Sequence, residues 1–314
     1  MTYIILIVAL LGIVFGADAL VNGSVTIARR FKVSDFVIGA AIVGVGTSMP
    51  ELLVSTIGAI GGNSEVAIGN VVGSNIFNIL GILGITTLIS PVKVSRDNKR
   101  FELPFCILVS TLLVLLVYNF FIGGVARIGR FDGLILLAFF CVSMWYSFYR
   151  DRKKPVEKDV KVLEIEVVTP LWGSILKVVV GLAILVISCD TFVDHAVALA
   201  RKLGASDALI SVTLIACGTS LPELAASVAA AIRKNTQLAL GNIIGSNIFN
   251  ITLILGISSQ IIPLETGGIS VIDYGTMCLA AVLTAILVHK DRIPRWGGLV
   301  MLICFIVYNI VIMS

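Results

Sequence analysis

Charge is scarce in this chain: only 13% of its 314 residues are Asp, Glu, Lys or Arg, about half of what a soluble globular domain carries. That shortfall excludes a water-solvated surface over most of the sequence. Histidine occurs twice, at His195 and His289, too rarely for an imidazole metal centre. The six cysteines, Cys106, Cys141, Cys189, Cys217, Cys278 and Cys304, fall in apolar runs with no CxxC pair; this excludes a thiolate metal site or redox motif and leaves them as small apolar filler. No clustered basic surface supports nucleic-acid binding, despite a net charge of +4. A hydrolase reading fails as well, because there is no Gly-x-Ser-x-Gly turn and no histidine base near a span centre. Nothing indicates an enzyme, a cofactor or an obligate protein partner. Ala17-Asp18-Ala19 lacks the basic region that precedes a cleavable leader, so the first segment is read as a permanent helix.

What the chain has in abundance is apolar residues, 58% of the total. A segment of roughly 20 apolar residues crosses the roughly 30 Å hydrocarbon layer. Ten such segments are expected, at about 4–28, 35–60, 66–90, 101–121, 129–149, 170–200, 207–232, 238–262, 270–289 and 295–313. This is an all-α membrane protein, with the lipid bilayer as its partner.

Two phrases occur twice. Gly46-Thr47-Ser48-Met49-Pro50-Glu51 returns as Gly218-Thr219-Ser220-Leu221-Pro222-Glu223, and Gly73-Ser74-Asn75-Ile76-Phe77-Asn78 returns as Gly245-Ser246-Asn247-Ile248-Phe249-Asn250. One offset of 172 residues relates both pairs, and it also relates Asp18 to Asp190, Ser34-Asp35 to Ser206-Asp207, and Asn70 to Asn242. The chain therefore divides into a five-helix repeat over 1–149, a polar linker over 150–169 and a second five-helix repeat over 170–314. Within the linker, 160–166 alternates and could form a short strand. Five spans per repeat is an odd number, so the second copy enters the bilayer from the opposite side and the halves are inverted. The positive-inside rule agrees: with both termini outside, the inner connections carry 18 of the 23 Lys and Arg residues. The expected location is the cell membrane, N-terminus and C-terminus outside.

Glu51 and Glu223 fall near the middle of their spans. An ionised side chain there costs on the order of 3 kcal/mol, so such residues face the bundle interior and mark an ion pathway. Pro50 and Pro222 each remove a backbone donor, and the glycines Gly44, Gly46 and Gly218 loosen the same stretch. Broken helices at the midplane follow, with the carbonyls of Gly44, Thr47, Ala216 and Thr219 expected to leave the helical ladder and line a cavity. Thr47, Ser48 and Glu51 share one helix face, as do Thr219, Ser220 and Glu223. Ser74 with Asn78, and Ser246 with Asn250, lie one turn apart on the facing helices. Every candidate ligand is an oxygen, which favours hard cations such as Ca²⁺ and Na⁺ over soft metals. For Asn75 and Asn247, helix pairing and ion ligation both remain open, while Asn70 and Asn242 read as structural. Asp18 and Asp190 could pair within the bundle or sit behind a permeation path. A cation channel could use the same ligands, but inverted broken helices favour an alternately exposed carrier site.

Taken together, the two duplicated phrases resemble the alpha repeats of the cation/Ca²⁺ exchanger superfamily, and the ten-span pattern is similar to that of its prokaryotic sodium/calcium exchangers. The resemblance covers nearly the whole chain. It implies Na⁺-driven Ca²⁺ antiport through Glu51, Glu223, Thr47, Thr219, Ser48, Ser220, Ser74, Ser246, Asn78 and Asn250. Backbone oxygens at Gly44, Thr47, Ala216 and Thr219 are implied to help. It further implies alternating access by sliding of the long first and sixth helices past the other eight. The proton-coupled branch usually has Gly-Asn-x-x-Glu at the first phrase, so Na⁺ coupling is expected and H⁺-coupled antiport of Ca²⁺ or another divalent cation is the alternative. K⁺-dependent relatives have an aspartate at the position of Asn250, so K⁺ independence is expected.

Overall fold

The structure, a computed structural model, describes residues 2–118, 127–152, 170–202, 218–266 and 268–313. Eleven helices are described: α1 (Thr2–Phe31), α2 (Asp35–Thr47), α3 (Met49–Ile60), α4 (Ser64–Ile89), α5 (Asn98–Val117), α6 (Arg130–Arg152), α7 (Leu171–Lys202), α8 (Leu221–Ile232), α9 (Thr236–Ile261), α10 (Val271–Ile286) and α11 (Arg295–Met313). Seven of them are long and apolar enough to cross a membrane, or eight spans if α2 and α3 count as one. The first part of the expected seventh span, through Ala216 and Cys217, lies outside the described residues, as do the end of the fourth span and the expected strand in the linker.

Burial separates an inner layer from an outer one. In its most apolar window α9 is 94% buried and α4 72%, against 17–28% for α1, α6, α7 and α11. The outer helices turn large side chains such as Phe15, Trp172 and Ile306 outward. In water these faces would be costly; against lipid tails they are the expected surface of a membrane protein.

Each inner helix pairs with its sequence neighbour through a tight turn. α3 passes to α4 through Gly62, whose φ of +79° suits glycine. At the matching turn between α8 and α9, Lys234 takes a φ of +60°. Asn235 caps α9 by accepting the Leu238 amide at 3.2 Å. The two halves are also joined by short antiparallel ladders: β1 (Val92–Lys93) pairs with β4 (Arg292–Ile293), and β2 (Arg127–Ile128) with β3 (Leu264–Glu265). Nothing in the sequence pattern signals these two-residue strands, because they are too short to show alternation.

The long helices α1 and α7 pack on each other in antiparallel fashion. Small residues permit this: a Cβ on Gly16 would lie 2.7 Å from the Leu185 backbone nitrogen, and one on Gly181 would lie 2.7 Å from that of Leu20. Asp18 pairs with Arg233 at the end of α8 and accepts a 3.1 Å hydrogen bond from Asn22. At the same polar edge Lys99 pairs with Asp291, holding that carboxyl below the ordinary carboxylate range.

Candidate cation site at the crossing of the four inner helices

The expected break is present. The chain bends by 46° between α2 and α3, with Ser48 at φ −84°, ψ 9° and Pro50 in the first turn of α3. Ser220 has nearly the same backbone, φ −89°, ψ 6°, with Pro222 in the first turn of α8. Proline suits the start of a helix, where its missing donor would have no partner. Each break thus starts a new helix with a glutamate in its first turn, where the helix dipole favours negative charge.

Three further distortions follow no sequence signal that we recognise. Residues Gly39–Gly44 of α2, Phe77–Leu83 of α4 and Asn250–Ile254 of α9 are wound as π-helix. Such turns insert an extra residue and re-aim the side chains beside them, and they recur at functional sites. Asn78 and Asn250 stand at the start of two of them. The close approach of α2 to α9 depends on Gly245, where a Cβ would lie 2.5 Å from Ala40 Cα.

At the centre the two phrases bond crosswise. Ser48 Oγ donates to Glu223 Oε1 at 2.8 Å, and Ser220 Oγ donates to Glu51 Oε1 at 3.1 Å. All four residues are completely buried. Thr47 Oγ1 donates to Asn242 Oδ1 at 3.2 Å, and Thr219 Oγ1 to Asn70 Oδ1 at 3.4 Å. Asn242 in turn donates to the Glu223 carbonyl at 3.2 Å and to Ser227 Oγ at 2.8 Å; Asn70 makes the matching bonds to the Glu51 carbonyl at 3.1 Å and Ser55 Oγ at 3.0 Å. Asn70 and Asn242 are therefore buttresses of the site, a role visible in the sequence only as two more identities in the duplicated register.

The Gly44 carbonyl departs from expectation. It is not released to a cavity: it accepts from the Ser48 amide at 3.1 Å, from Thr47 Oγ1 at 3.4 Å and from Ser246 Oγ at 3.3 Å. Flexing into a π-turn and bending at Ser48 keeps this carbonyl paired, as a buried acceptor requires. Ala216, its duplicate, lies outside the described residues. Ser74 is buried.

Several buried oxygens remain without a hydrogen-bond partner among the described residues: Glu51 Oε2, Glu223 Oε2, Asn78 Oδ1, Asn250 Oδ1 and Asn247 Oδ1. Buried polar atoms are normally satisfied, and an orphan carboxylate oxygen is among the costliest exceptions. Their donor chemistry suits a hard cation with many oxygen ligands. Among the described residues there is no group of three or more His, Cys, Asp or Glu that could hold a metal ion, so the anionic charge of the site comes from two carboxylates and the rest of its oxygens are neutral.

Comparison with known proteins agrees with this geometry. The model of the sodium/calcium exchanger protein family matches residues 1–149 and 173–314. CaxA of Alkalimonas amylolytica is 37% identical, the alignment covering 99% of this chain and 98% of CaxA. MaX1, a sodium/calcium exchanger of Methanosarcina acetivorans, is 32% identical over 99% of this chain and 98% of its own length. Among solved structures, the sodium-calcium exchanger NCX_Mj soaked with Na⁺ and Ca²⁺ superposes with a TM-score of 0.81 at 30% identity, covering 98% of this chain and 96% of that one.

Proposed function

Since the chain belongs to the sodium/calcium exchanger family, a multi-pass membrane family of cation/Ca²⁺ antiporters, we propose that it exchanges Na⁺ for Ca²⁺ by alternating access, electrogenically and without K⁺. The observation that carries this reading is the crossed pair of hydroxyl-carboxylate bonds at the break of each half, with the second oxygen of each glutamate left over. In this proposal the cage comprises Glu51, Glu223, Thr47, Thr219, Ser48, Ser220, Ser74, Ser246, Asn78 and Asn250. The backbone oxygens of Gly44 and Ala216 join the cage, that of Gly44 by exchanging its hydrogen bonds for a cation. One Ca²⁺ or two Na⁺ neutralises the two carboxylates, a third Na⁺ leaves one positive charge, and the shared ligands make occupancy by the two ions mutually exclusive. An empty cage retains two uncompensated charges, which opposes its passage across the bilayer and prevents leak.

The architecture belonging to this proposal is ten spans in two inverted halves, 1–149 and 170–314, joined by a cytoplasmic linker at 150–169, with both termini outside. The α1–α7 pair is the part that slides. If three Na⁺ cross for each Ca²⁺, one net charge moves per cycle, worth about 2.3 kcal/mol per 100 mV.

The test is Ca²⁺ uptake into proteoliposomes loaded in turn with Na⁺, K⁺ or acid. Uptake driven by the Na⁺ load, and accelerated by an inside-positive potential, is expected. Uptake driven only by the acid load would establish the H⁺-coupled alternative, and flux without any trans cation would establish a channel.

A further inference from the structure

The duplicated phrase Gly-Ser-Asn-Ile-Phe-Asn contributes two asparagines from each half, and the four are bonded unequally. Asn75 Nδ2 donates to the Asn247 carbonyl at 3.2 Å, and Asn247 Nδ2 returns the bond to the Asn75 carbonyl at 3.2 Å. This clasp joins α4 to α9 and is the same from either side. Beyond it the match ends. Asn250 Nδ2 donates to Asn75 Oδ1 at 3.0 Å. The corresponding bond from Asn78 to Asn247 is not made: both amide atoms of Asn78, and Asn247 Oδ1, have no partner among the described residues. All four side chains are at least 99% buried, so solvent does not complete the set.

An amide offers a cation its oxygen and repels it with its NH₂. Which end faces the ion is decided by what holds the other end, as with the outer-shell partners that orient metal ligands. Asn250 has its NH₂ committed to Asn75, which leaves Oδ1 as the atom available to a cation. Asn78 has neither end committed. We propose that Asn75 is a positioning residue for cation binding: its Oδ1 anchors the Asn250 amide with the oxygen presented, whereas its sequence twin Asn247 gives Asn78 no such anchor. The cage then holds one pre-oriented amide and one that turns its oxygen only when an ion arrives. The two halves, alike in sequence at these positions, contribute unequally to affinity. This rests on the cation-site reading above.

The experiment is a pair of double-mutant cycles on Ca²⁺ binding to the purified full chain, read by calorimetry and with the thermal midpoint recorded for each variant. Asn75→Ala and Asn250→Ala are each expected to weaken Ca²⁺ binding about tenfold, and the double variant to be no weaker than the worse single one, because Asn75 acts through Asn250. Asn78→Ala and Asn247→Ala are expected to be additive. Additivity in the first cycle, or equal coupling in both, would overturn the proposal. If Asn75→Ala does not fold, Asn75→Asp keeps the accepting oxygen: in that background Asn250→Ala must still cost its full factor, and no cost would overturn the assignment. Failure of the underlying site reading is distinguishable, since it would show as undiminished Ca²⁺ binding in Glu51→Gln and Glu223→Gln whatever the cycles give.

Discussion

The centre of the molecule and its flank treat the same internal duplication differently. At the crossing of the inner helices, bonds come in matched pairs: Ser48 with Glu223 and Ser220 with Glu51, Thr47 with Asn242 and Thr219 with Asn70. On the flank, Asp18 and Asn22 of α1 are held by Arg233, while the duplicate of Arg233 is Gly61 and the duplicate of Asn22 is Asp194. No guanidinium can stand at Gly61 to hold Asp190. At the carboxylates and hydroxyls the two halves offer equivalent groups, and only the asparagines Asn78 and Asn250 are held differently. If the long helices slide as proposed, they need only close packing, and an unequal tether there would bias one position over the other. In the proposed cycle, the two copies match at the carboxylates and hydroxyls of the cage and differ on the flank.

That contrast can be broken first at its centre. Glu51→Gln and Glu223→Gln should each abolish Na⁺-driven Ca²⁺ uptake, and to the same extent, because each removes half the anionic charge of the cage; normal flux in either variant would remove that glutamate from the site. Next comes the packing of the long pair. Gly16→Val and Gly181→Val place branched side chains where a Cβ already meets backbone at 2.7 Å, an overpacking cost of about 1–3 kcal/mol. A thermal midpoint lower by several degrees and loss of most flux are expected, and wild-type values for both would show that α1 and α7 are not held this closely.

A smaller effect sharpens the symmetry at the centre. Ser48→Ala and Ser220→Ala each strip a donor from a buried carboxylate, a loss of about 1–3 kcal/mol. Half-saturating Ca²⁺ should rise about tenfold or more in each, and strongly unequal shifts would show that the crossed bonds are not equivalent in solution. The smallest effect lies on the flank. Arg233 and Asp18 keep side-chain exposures of 36% and 49%, so Arg233→Gln should shift the ratio of half-saturating Ca²⁺ at the two membrane faces by no more than about fivefold. A larger shift, or none at all, would refute the one-sided bias.

Much of the candidate site was legible before any fold was known. Glu51 and Glu223 stand out because a carboxylate in an apolar span is costly, and their repetition beside Pro50 and Pro222 points to one built feature. The helix break at Ser48 and the tight turns at Gly61-Gly62 and Arg233-Lys234 follow from local chemistry that acts over a few residues. Other features were not legible for equally physical reasons. The π-turns at Phe77 and Asn250 depend on how α4 and α9 pack, and the β1–β4 and β2–β3 ladders are too short to leave a pattern. The structural reading of Asn70 and Asn242 agrees with their bonds, but which groups they hold was not legible, because a bond from an amide to a neighbouring helix carbonyl has no sequence period. Gly44 was expected to release its carbonyl, but the structure re-pairs it with hydroxyls from Thr47 and Ser246 that a linear reading cannot bring together.

By itself the sequence determined the membrane class, the duplication and the identity of the buried oxygens, since those follow from transfer free energies and from residues compared at a fixed offset. Only the tertiary structure decided which oxygen meets which: that Ser48 serves the glutamate of the other half, that Asn250 is anchored and Asn78 is not, and that Asp18 is claimed by Arg233. Those choices depend on contacts between segments up to 215 residues apart, and hydrogen bonds of a few ångströms are set by packing, which no local pattern encodes.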